Sequence, residues 1–254
     1  MSTTSSRSPF EDDSDDEWQM ASISLEELTN RLKLDTLASV TSSGDSSAPN
    51  LLVLLDMNGT LLCRAAEKLG GQARKHDCRV LKNYCYFRND AKRLVKWLEA
   101  HPRIDLCFYT SMKKKSAEPL SEHLLGEASS IYLFDQEYNK RDMEGKNSWS
   151  MMRDMPRIWS QQDSPSFGHS EKSTIMIDDS YEKMREYPDN VFIVPEYTEE
   201  VIELGDPSDD TVLDVVIQFL DKLTHAWTAT SETDDVRVLI RELLNSGEFS
   251  YAAR

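Results

Sequence analysis

The chain has 254 residues and a net charge of −16, which is unevenly distributed. Residues 1–20 contain six acids and one base, and from Glu186 onward 16 acids stand against 4 bases, whereas residues 21–185 are nearly neutral with 23 acids and 24 bases. A nucleic-acid partner is therefore not expected, because neutralising backbone phosphates requires a basic face.

The cysteines and the apolar stretches bear on the cellular compartment. Cys63, Cys78, Cys85 and Cys107 show no Cys-x-x-Cys spacing and are interpreted as free thiols of a reducing compartment. His76 lies close to two of them, but no fourth ligand follows at a zinc-site spacing. No apolar stretch reaches membrane-spanning length, and the first residues lack the apolar region of a signal peptide. We expect no membrane partner and a location in the cytoplasm, the nucleus or both.

The first part of the chain is polar. Residues 1–49 are acidic and Ser-rich, which predicts a disordered tail and linker. Within them, Ser24 and Glu27 form a capping-box pattern that allows a short helix over residues 24–34. The folded domain is predicted over residues 50–248.

Short apolar runs and helical patterns follow one another along this domain. The predicted strands are residues 51–55, 106–109, 131–134, 174–177 and 191–194. Other predicted elements are an exposed loop or ribbon at residues 64–82, a helix capped by Asn89 and stopped by Pro102, a short helix at residues 117–125, and partly helical residues 149–159. Amphipathic helices at residues 212–223 and 236–244 are expected to cover the sheet. Strands separated by helices predict an α/β fold with a parallel sheet and helices on both faces.

Polar residues stand at the ends of three predicted strands. Asp56 follows the first strand, Thr110 the second, and Asp178 and Asp179 the fourth. Because the carboxyl ends of parallel strands point the same way, these residues are expected to converge on one site.

Five segments in this order carry a resemblance to a known family. They are Asp56 to Thr60, Phe108 to Ser111, Phe134 to Gln136, Arg153-Asp154 with Trp159, and Ile175 to Ser180. They resemble the motifs of haloacid-dehalogenase-type (HAD) phosphatases, and within these the FCP-homology group, similar to phosphatases of the RNA polymerase II tail and of NLI-interacting partners. The resemblance implies a HAD-like Rossmannoid sheet, with a small cap or none because only 34 residues lie between Ser111 and Lys146, and 41 between Ser111 and Arg153.

The resemblance also implies a nucleophile and a metal ion. Asp56 is the expected nucleophile, which attacks a phosphomonoester and becomes an aspartyl-phosphate that water hydrolyses. Asp56, Asp179 and the backbone carbonyl of Asn58 are the expected ligands of Mg²⁺, a cation that suits carboxylates, carbonyls and waters.

The phosphoryl group is expected to be held by hydroxyls and a cation. Thr110 and Ser111 occupy the second motif, and the cation of the third motif is either Arg153 or Lys146. Arg153 is ranked first because Trp159 falls at the expected distance after it. The expected supporting residues are Thr60 and Asp178.

Asn58 departs from the family, which has a second aspartate at this position. That aspartate protonates the leaving oxygen and later activates water, whereas an amide cannot exchange a proton at neutral pH. Losing a general acid–base typically costs about 10²–10⁴-fold in rate. The sequence therefore predicts a Mg²⁺-dependent phosphoprotein (Ser/Thr) phosphatase-like domain that Asn58 weakens or specialises.

Three alternatives stay open at this point. In the first alternative, the chain is a catalytically dead pseudophosphatase that binds a protein partner through the same groove. In the second, the aspartyl-phosphate is long-lived and acts as a switch. Relatives of the domain also include a mitochondrial import-translocase subunit, which the acidic N-terminal residues and the lack of a membrane helix disfavour. The expected partner is a phosphorylated protein segment or another protein, and the oligomeric state is not predicted.

Overall fold

The structure is a computed structural model that describes residues 49–70, 73–126, 131–144, 150–205, 210–229 and 234–249. Residues 1–48 of the predicted tail and linker, which include the short helix at residues 24–34, lie outside the described residues, and so does Lys146.

The described residues form strands and helices in alternation. The strands are β1 (Leu51–Leu55), β2 (Leu62–Ala65), β3 (Cys78–Val80), β4 (Asn83–Phe87), β5 (Ile104–Tyr109), β6 (Tyr132–Phe134), β7 (Asn139–Arg141), β8 (Met151–Arg153), β9 (Thr174–Asp178) and β10 (Val191–Ile193). The helices are α1 (Ala91–Ala100), α2 (Lys114–Leu125), α3 (Met155–Trp159), α4 (Glu199–Leu204), α5 (Val212–Ala229) and α6 (Val236–Asn245).

Five strands make a parallel central sheet in the order β10-β9-β1-β5-β6. All five residues of β1 are completely buried, because alternate side chains enter cores on opposite faces of the sheet. Leu51, Val53 and Leu55 pack with α1, α2, α5 and α6, whereas Leu52 and Leu54 pack with α3. The predicted α/β class, a parallel sheet with helices on both faces, is confirmed.

The two C-terminal helices cover one face of the sheet, as predicted. Leu213, Val216, Phe219 and Leu220 of α5 are buried in the larger core. Fully burying each such side chain stabilises the fold by about 1.5–3 kcal/mol. The indole Nε1 of Trp227 donates to the carbonyl of Pro49 at 2.7 Å, so α5 also fixes the entry of the chain into β1.

Residues 62–87 form a second, three-stranded sheet of order β2-β4-β3. The expected loop or ribbon at residues 64–82 is thus partly regular, and the prediction missed β4. Leu81 turns the chain between β3 and β4 with a φ of 55°, a left-handed conformation that is uncommon for leucine. Strand prediction uses Gly, Pro, Asn, Asp and Ser as signals of a turn, and Leu81 is none of these. The sequence therefore did not indicate a turn between β3 and β4.

Residues 149–159 were expected to be partly helical, and the short helix α3 confirms this over Met155–Trp159. The prediction missed β8, which pairs with β7 in an antiparallel hairpin. A further prediction on local structure was wrong. Asn89 does not cap α1, because the N-cap residue is Asp90 with a φ of 60° and no side-chain cap hydrogen bond. The Asn89 amide donates instead to the carbonyl of Asp210 at 3.3 Å.

Within the described residues, no helix has the length and apolar character needed to cross a membrane. The four cysteines are free thiols.

Candidate active site

The three central strands bring the predicted polar residues to one edge of the sheet. β9, β1 and β5 are neighbours, and each ends at or just before an acidic or hydroxyl side chain. Asp178 ends β9, Asp56 follows β1 and Thr110 follows β5. One carboxylate oxygen each of Asp56, Asp178 and Asp179 lies within 4.8 Å of the others.

Asp56 is buried, with 1% of its surface exposed. Its backbone N–H donates to the carbonyl of Ile177 at 3.0 Å, which ties the end of β1 to β9. Its Oδ1 accepts a hydrogen bond from Nη2 of Arg153 at 2.7 Å. Its Oδ2 has no hydrogen-bond partner among the described residues, which leaves one carboxylate oxygen available for a ligand.

The guanidinium of Arg153 lies behind the carboxylates in a completely buried position. Its Nε and Nη2 donate to Oδ2 of Asp178 at 3.0 and 2.5 Å. Its Nη1 donates to Oδ1 of Asn139 at 3.2 Å, and its Cζ lies 4.6 Å from the centre of the Tyr109 ring. Most of the five N–H donors of this side chain are therefore already used.

Asn139 and Tyr109 hold the hairpin that carries Arg153. The amide nitrogen of Asn139 donates to the carbonyls of Thr110 at 2.9 Å and Asp135 at 3.0 Å. The hydroxyl of Tyr109 accepts from the N–H of Asp154 at 2.7 Å and donates to the carbonyl of Tyr138 at 3.0 Å. These bonds connect the β7–β8 hairpin to the end of β5, so the position of Arg153 is fixed from two sides.

Lys183 is a second cation at the site, and the sequence analysis did not identify it. Its Nζ lies 3.5 Å from Oδ1 of Asp178 and 3.4 Å from Oδ1 of Asp179. The 3₁₀ turn Tyr181–Met184 returns the chain towards the sheet edge, which brings a residue four positions after Asp179 back to it.

The buried carboxylates have perturbed pKa values. Burial, and then repulsion from Asp178, raises the pKa of Asp56 above its ordinary value, although Arg153 and Lys183 act in the opposite direction. Burial also opposes ionisation of Asp178, but attraction by Arg153 and Lys183 lowers its pKa. Burial raises the pKa of Asp179 to about 7, with Lys183 opposing the shift and Asp56 adding to it. The three acids thus divide into an ionised Asp178 and two neighbours whose charge depends on nearby cations.

Gly59 allows the close approach of Asp179 to the loop after β1. Its φ is +92°, a conformation that favours glycine. A Cβ atom at this position would lie 2.3 Å from Oδ2 of Asp179. Gly59 therefore has two roles: it allows the turn after β1, and it leaves room for the carboxylate of Asp179.

A cavity of about 370 Å³ opens in front of Asp56. Its lining residues are Asp56, Asn58, Arg64, Thr110, Ser111, Met112, Lys113, Ser116, Gln136 and Lys183. Four predicted site residues are among them, whereas Arg153, Asp178, Asp179 and Thr60 stand outside this lining. The Oγ of Ser111 is buried without a hydrogen-bond partner in the described part of the chain.

Sequence reasoning did not identify two basic residues of the cavity as site residues, Arg64 and Lys183. Arg64 lies on β2, and its side chain reaches the cavity only because residues 62–87 form a sheet beside the site. The sequence indicates Lys183 only through its spacing of four residues from Asp179. Such acid–base pairs are common on protein surfaces, so the spacing does not distinguish a site residue.

The residues fit a divalent cation. The unpartnered Oδ2 of Asp56 and the neighbouring carboxylates offer hard oxygen donors, as Mg²⁺ requires. Among the described residues, no other group of three or more acidic, histidine or cysteine side chains has this spacing.

Comparisons with known proteins point to one family. A family model described as NLI interacting factor-like phosphatase matches residues 51–237. Among solved structures, Fcp1, an essential RNA polymerase II CTD phosphatase, is 13% identical over 89% of this chain and 66% of its own, with a TM-score of 0.40. The structure of a fission yeast Fcp1 variant bound to beryllium fluoride is 14% identical over 87% of this chain and 65% of its own, also with a TM-score of 0.40. The chain thus spans slightly less than two thirds of these proteins, and no curated protein sequence matches it.

Proposed function

The chain belongs to the NLI interacting factor-like phosphatase family and contains a phosphatase-type HAD domain, and from this we propose that it hydrolyses phosphoserine or phosphothreonine in protein segments through an aspartyl-phosphate on Asp56. One observation carries the proposal. Asp56 presents an unpartnered carboxylate oxygen in a cavity, while its other oxygen is held by a buried guanidinium.

The reaction proceeds in two displacements at phosphorus. The Oδ2 of Asp56 attacks the phosphorus atom, and the bond to the substrate oxygen breaks with its electron pair leaving on that oxygen. Water then attacks the same phosphorus atom, and the bond to Oδ2 breaks. Inorganic phosphate leaves, a proton passes to solvent, and the Asp56 carboxylate is restored.

The chain's own residues position the reacting groups. Arg153 fixes the orientation of Asp56 through Oδ1 and keeps Asp178 ionised. Thr110 and Ser111 line the cavity and would donate hydrogen bonds to phosphoryl oxygens. Lys183 lines the cavity beside the acidic cluster and Arg153 does not, so Lys183 is better placed than Arg153 to neutralise charge on the transferred group.

Asp56, Asp179 and the backbone carbonyl of Asn58 would hold Mg²⁺, with Asp178 supporting them through its contacts to Arg153 and Lys183. When bound, the ion supplies charge neutralisation for the nucleophile and for the phosphoryl oxygens.

Asn58 lines the cavity, where its amide can donate a hydrogen bond to the leaving oxygen but has no proton to transfer. The leaving oxygen therefore takes its proton from water. A serine alkoxide is a poor leaving group and is slowed most, whereas a phenolate leaves more readily because the phenol pKa is near 10. The expected enzyme is slow on phosphopeptides and faster on aryl phosphates.

The test compares wild type, Asp56→Asn and Asn58→Asp on an aryl phosphate and a phosphoserine peptide, with Mg²⁺ present. Asp163→Asn serves as a matched control, since Asp163 is exposed and outside the cavity. We expect no turnover from Asp56→Asn, an unchanged rate from the control, and a gain of up to about 10²–10⁴-fold from Asn58→Asp on the peptide. Turnover by Asp56→Asn at the wild-type rate would refute the proposed nucleophile.

The second candidate function is a pseudophosphatase that binds a phosphorylated segment without turnover. Asn58 favours it, because the residue that lines the cavity beside the nucleophile lacks a transferable proton. Wild type would then bind phosphopeptide through the cavity, and both wild type and Asn58→Asp would show no hydrolysis of either substrate.

A further inference from the structure

Two basic side chains that line the cavity have no acidic partner among the residues that the structure describes. Arg64 reaches the cavity from β2, and Lys113 reaches it from the residue that precedes α2. In the described ranges, neither side chain forms an ion pair or a hydrogen bond with an acid. They come from elements that are separate in sequence, and both line the same cavity.

The other basic residues near the site are engaged. Lys183 contacts Asp178 and Asp179, Arg153 is buried against Asp178, and Lys114 pairs with Glu118 at 3.3 Å. Asp56 is the one acidic residue among those that line the cavity. In a chain with a net charge of −16, a cavity lined by three basic side chains and by Asp56 as its one acidic side chain has a local excess of positive charge.

The excess positive charge lies in the same cavity as Asp56, so it would act on the part of a substrate next to the phosphoryl group. Asp56, the hydroxyls of Thr110 and Ser111, and Lys183 already provide the groups that a single phosphoryl group needs. The cavity of about 370 Å³ is larger than one phosphoryl group, and Arg64 and Lys113 line the same space. A guanidinium and an ammonium together suit a second anionic oxygen group.

We propose that Arg64 and Lys113 form a second anion subsite that selects phosphopeptides with another anionic group close to the phosphorylated residue. This inference rests on the proposed function for its substrate class, since it assigns the neighbouring subsite of the same cavity. The second group is a phosphoryl group or a carboxylate, and both present the same charged oxygens. A peptide is favoured over a compact ligand because Lys113 is exposed and the subsite continues to the protein surface.

The test measures binding, so it does not depend on turnover. The full chain with Asp56→Asn is titrated with fluorescent phosphoserine peptides at fixed ionic strength. The peptides carry a second phosphoserine, a glutamate or an alanine at each of the three positions on either side. In at least one position, we expect the second anion to tighten binding about tenfold over alanine. The phosphoserine and glutamate arms distinguish the two sources of charge.

Charge-removing variants then locate the effect. Arg64→Gln and Lys113→Gln are each expected to lose about threefold or more of the preference for the second anion, because a single partly exposed ion contact contributes a small factor. Lys115→Gln is the matched control, since Lys115 belongs to the same lysine run but does not line the cavity. The readout is the ratio of two affinities within one variant, so an overall change in binding cancels.

Equal affinity for the alanine and anionic peptides at every position would overturn the subsite. An equal loss of preference in Lys115→Gln would also overturn it, because the effect would then be general attraction. These outcomes are separate from the fate of the proposed function. A chain that never turns over substrate but prefers the second anion keeps the subsite, and an active chain without the preference keeps only the activity.

Discussion

Replacing Arg153 with methionine is expected to lower the free energy of unfolding by an amount that follows from the buried contacts of its guanidinium. The guanidinium compensates two buried carboxylates, Asp56 and Asp178, and its side chain has no exposure to solvent. Removing one partner of a buried ion pair typically costs about 3–5 kcal/mol, because an uncompensated charge stays buried. A domain of this size loses about 2–4 °C in Tm per kcal/mol, so we expect a decrease of roughly 6–20 °C.

The assay is denaturant unfolding of wild type, Arg153→Met and Arg157→Met in the presence of a chelator. Arg157 is exposed and donates one hydrogen bond, to the carbonyl of Glu137 at 2.6 Å, so the same substitution there should cost about 1 kcal/mol or less. If both variants lose the same small amount, Arg153 does not compensate the carboxylates and the account of the site given above is wrong.

Acidification gives this prediction a second readout. Burial opposes ionisation of Asp178, and Arg153, followed by Lys183, lowers its folded-state pKa, so removing Arg153 raises this pKa relative to the wild-type protein. A carboxyl with a raised folded pKa lowers stability above the unfolded pKa, and this penalty disappears once both states are protonated. The destabilisation of Arg153→Met should therefore shrink from pH 7 towards pH 4. A loss of stability that stays constant with pH would indicate a packing defect instead.

Three more predictions concern the acidic edge of the site. Gly59→Ala is expected to lose about 1–3 kcal/mol of stability, because φ is +92° and the new Cβ would collide with Asp179; unfolding curves measure this. In the metal-free protein, the pKa of Asp179 is raised to about 7, so its contribution to the free energy of unfolding is fully present below pH 3.8 and is lost as the pH rises through 7. Denaturant unfolding at pH 5 and pH 8 should therefore show a smaller loss of stability between these two pH values for Asp179→Asn than for wild type. Saturating Mg²⁺ should stabilise wild type by about 2.7 kcal/mol at 100 times its Kd, and a thermal scan should show a smaller gain for Asp179→Asn.

The strand ends were predictable because their signals are local. Each central strand is a short apolar run, and the residues that follow it are polar. Asp56, Thr110 and Asp178 could therefore be assigned to one edge of the sheet from the sequence alone. The alternation of strands and helices fixed the parallel sheet for the same reason. The predicted roles of these residues stay predictions.

What the sequence could not provide are contacts between distant segments. Arg153 lies behind Asp56 because Asn139 and Tyr109 hold its hairpin, and no local pattern encodes bonds that span two sheets. Arg64 reaches the cavity through a sheet whose turn at Leu81 is apolar and left-handed. Such positions depend on tertiary packing, which propensity and spacing do not describe.

The pairing of β1 with β9 has a consequence for synthesis of the protein. Leu52 pairs with Thr174, so Asp56 emerges from the ribosome well before the strand that carries Asp178. At about 5–20 residues per second, the interval is roughly 10 s. During that time Asp56 exists without Asp178, and before residue 153 is made it also lacks the guanidinium that donates to its Oδ1. A chain released before β9 is complete therefore contains Asp56 without the other two acids of the cluster, so the cluster forms as one late event in translation.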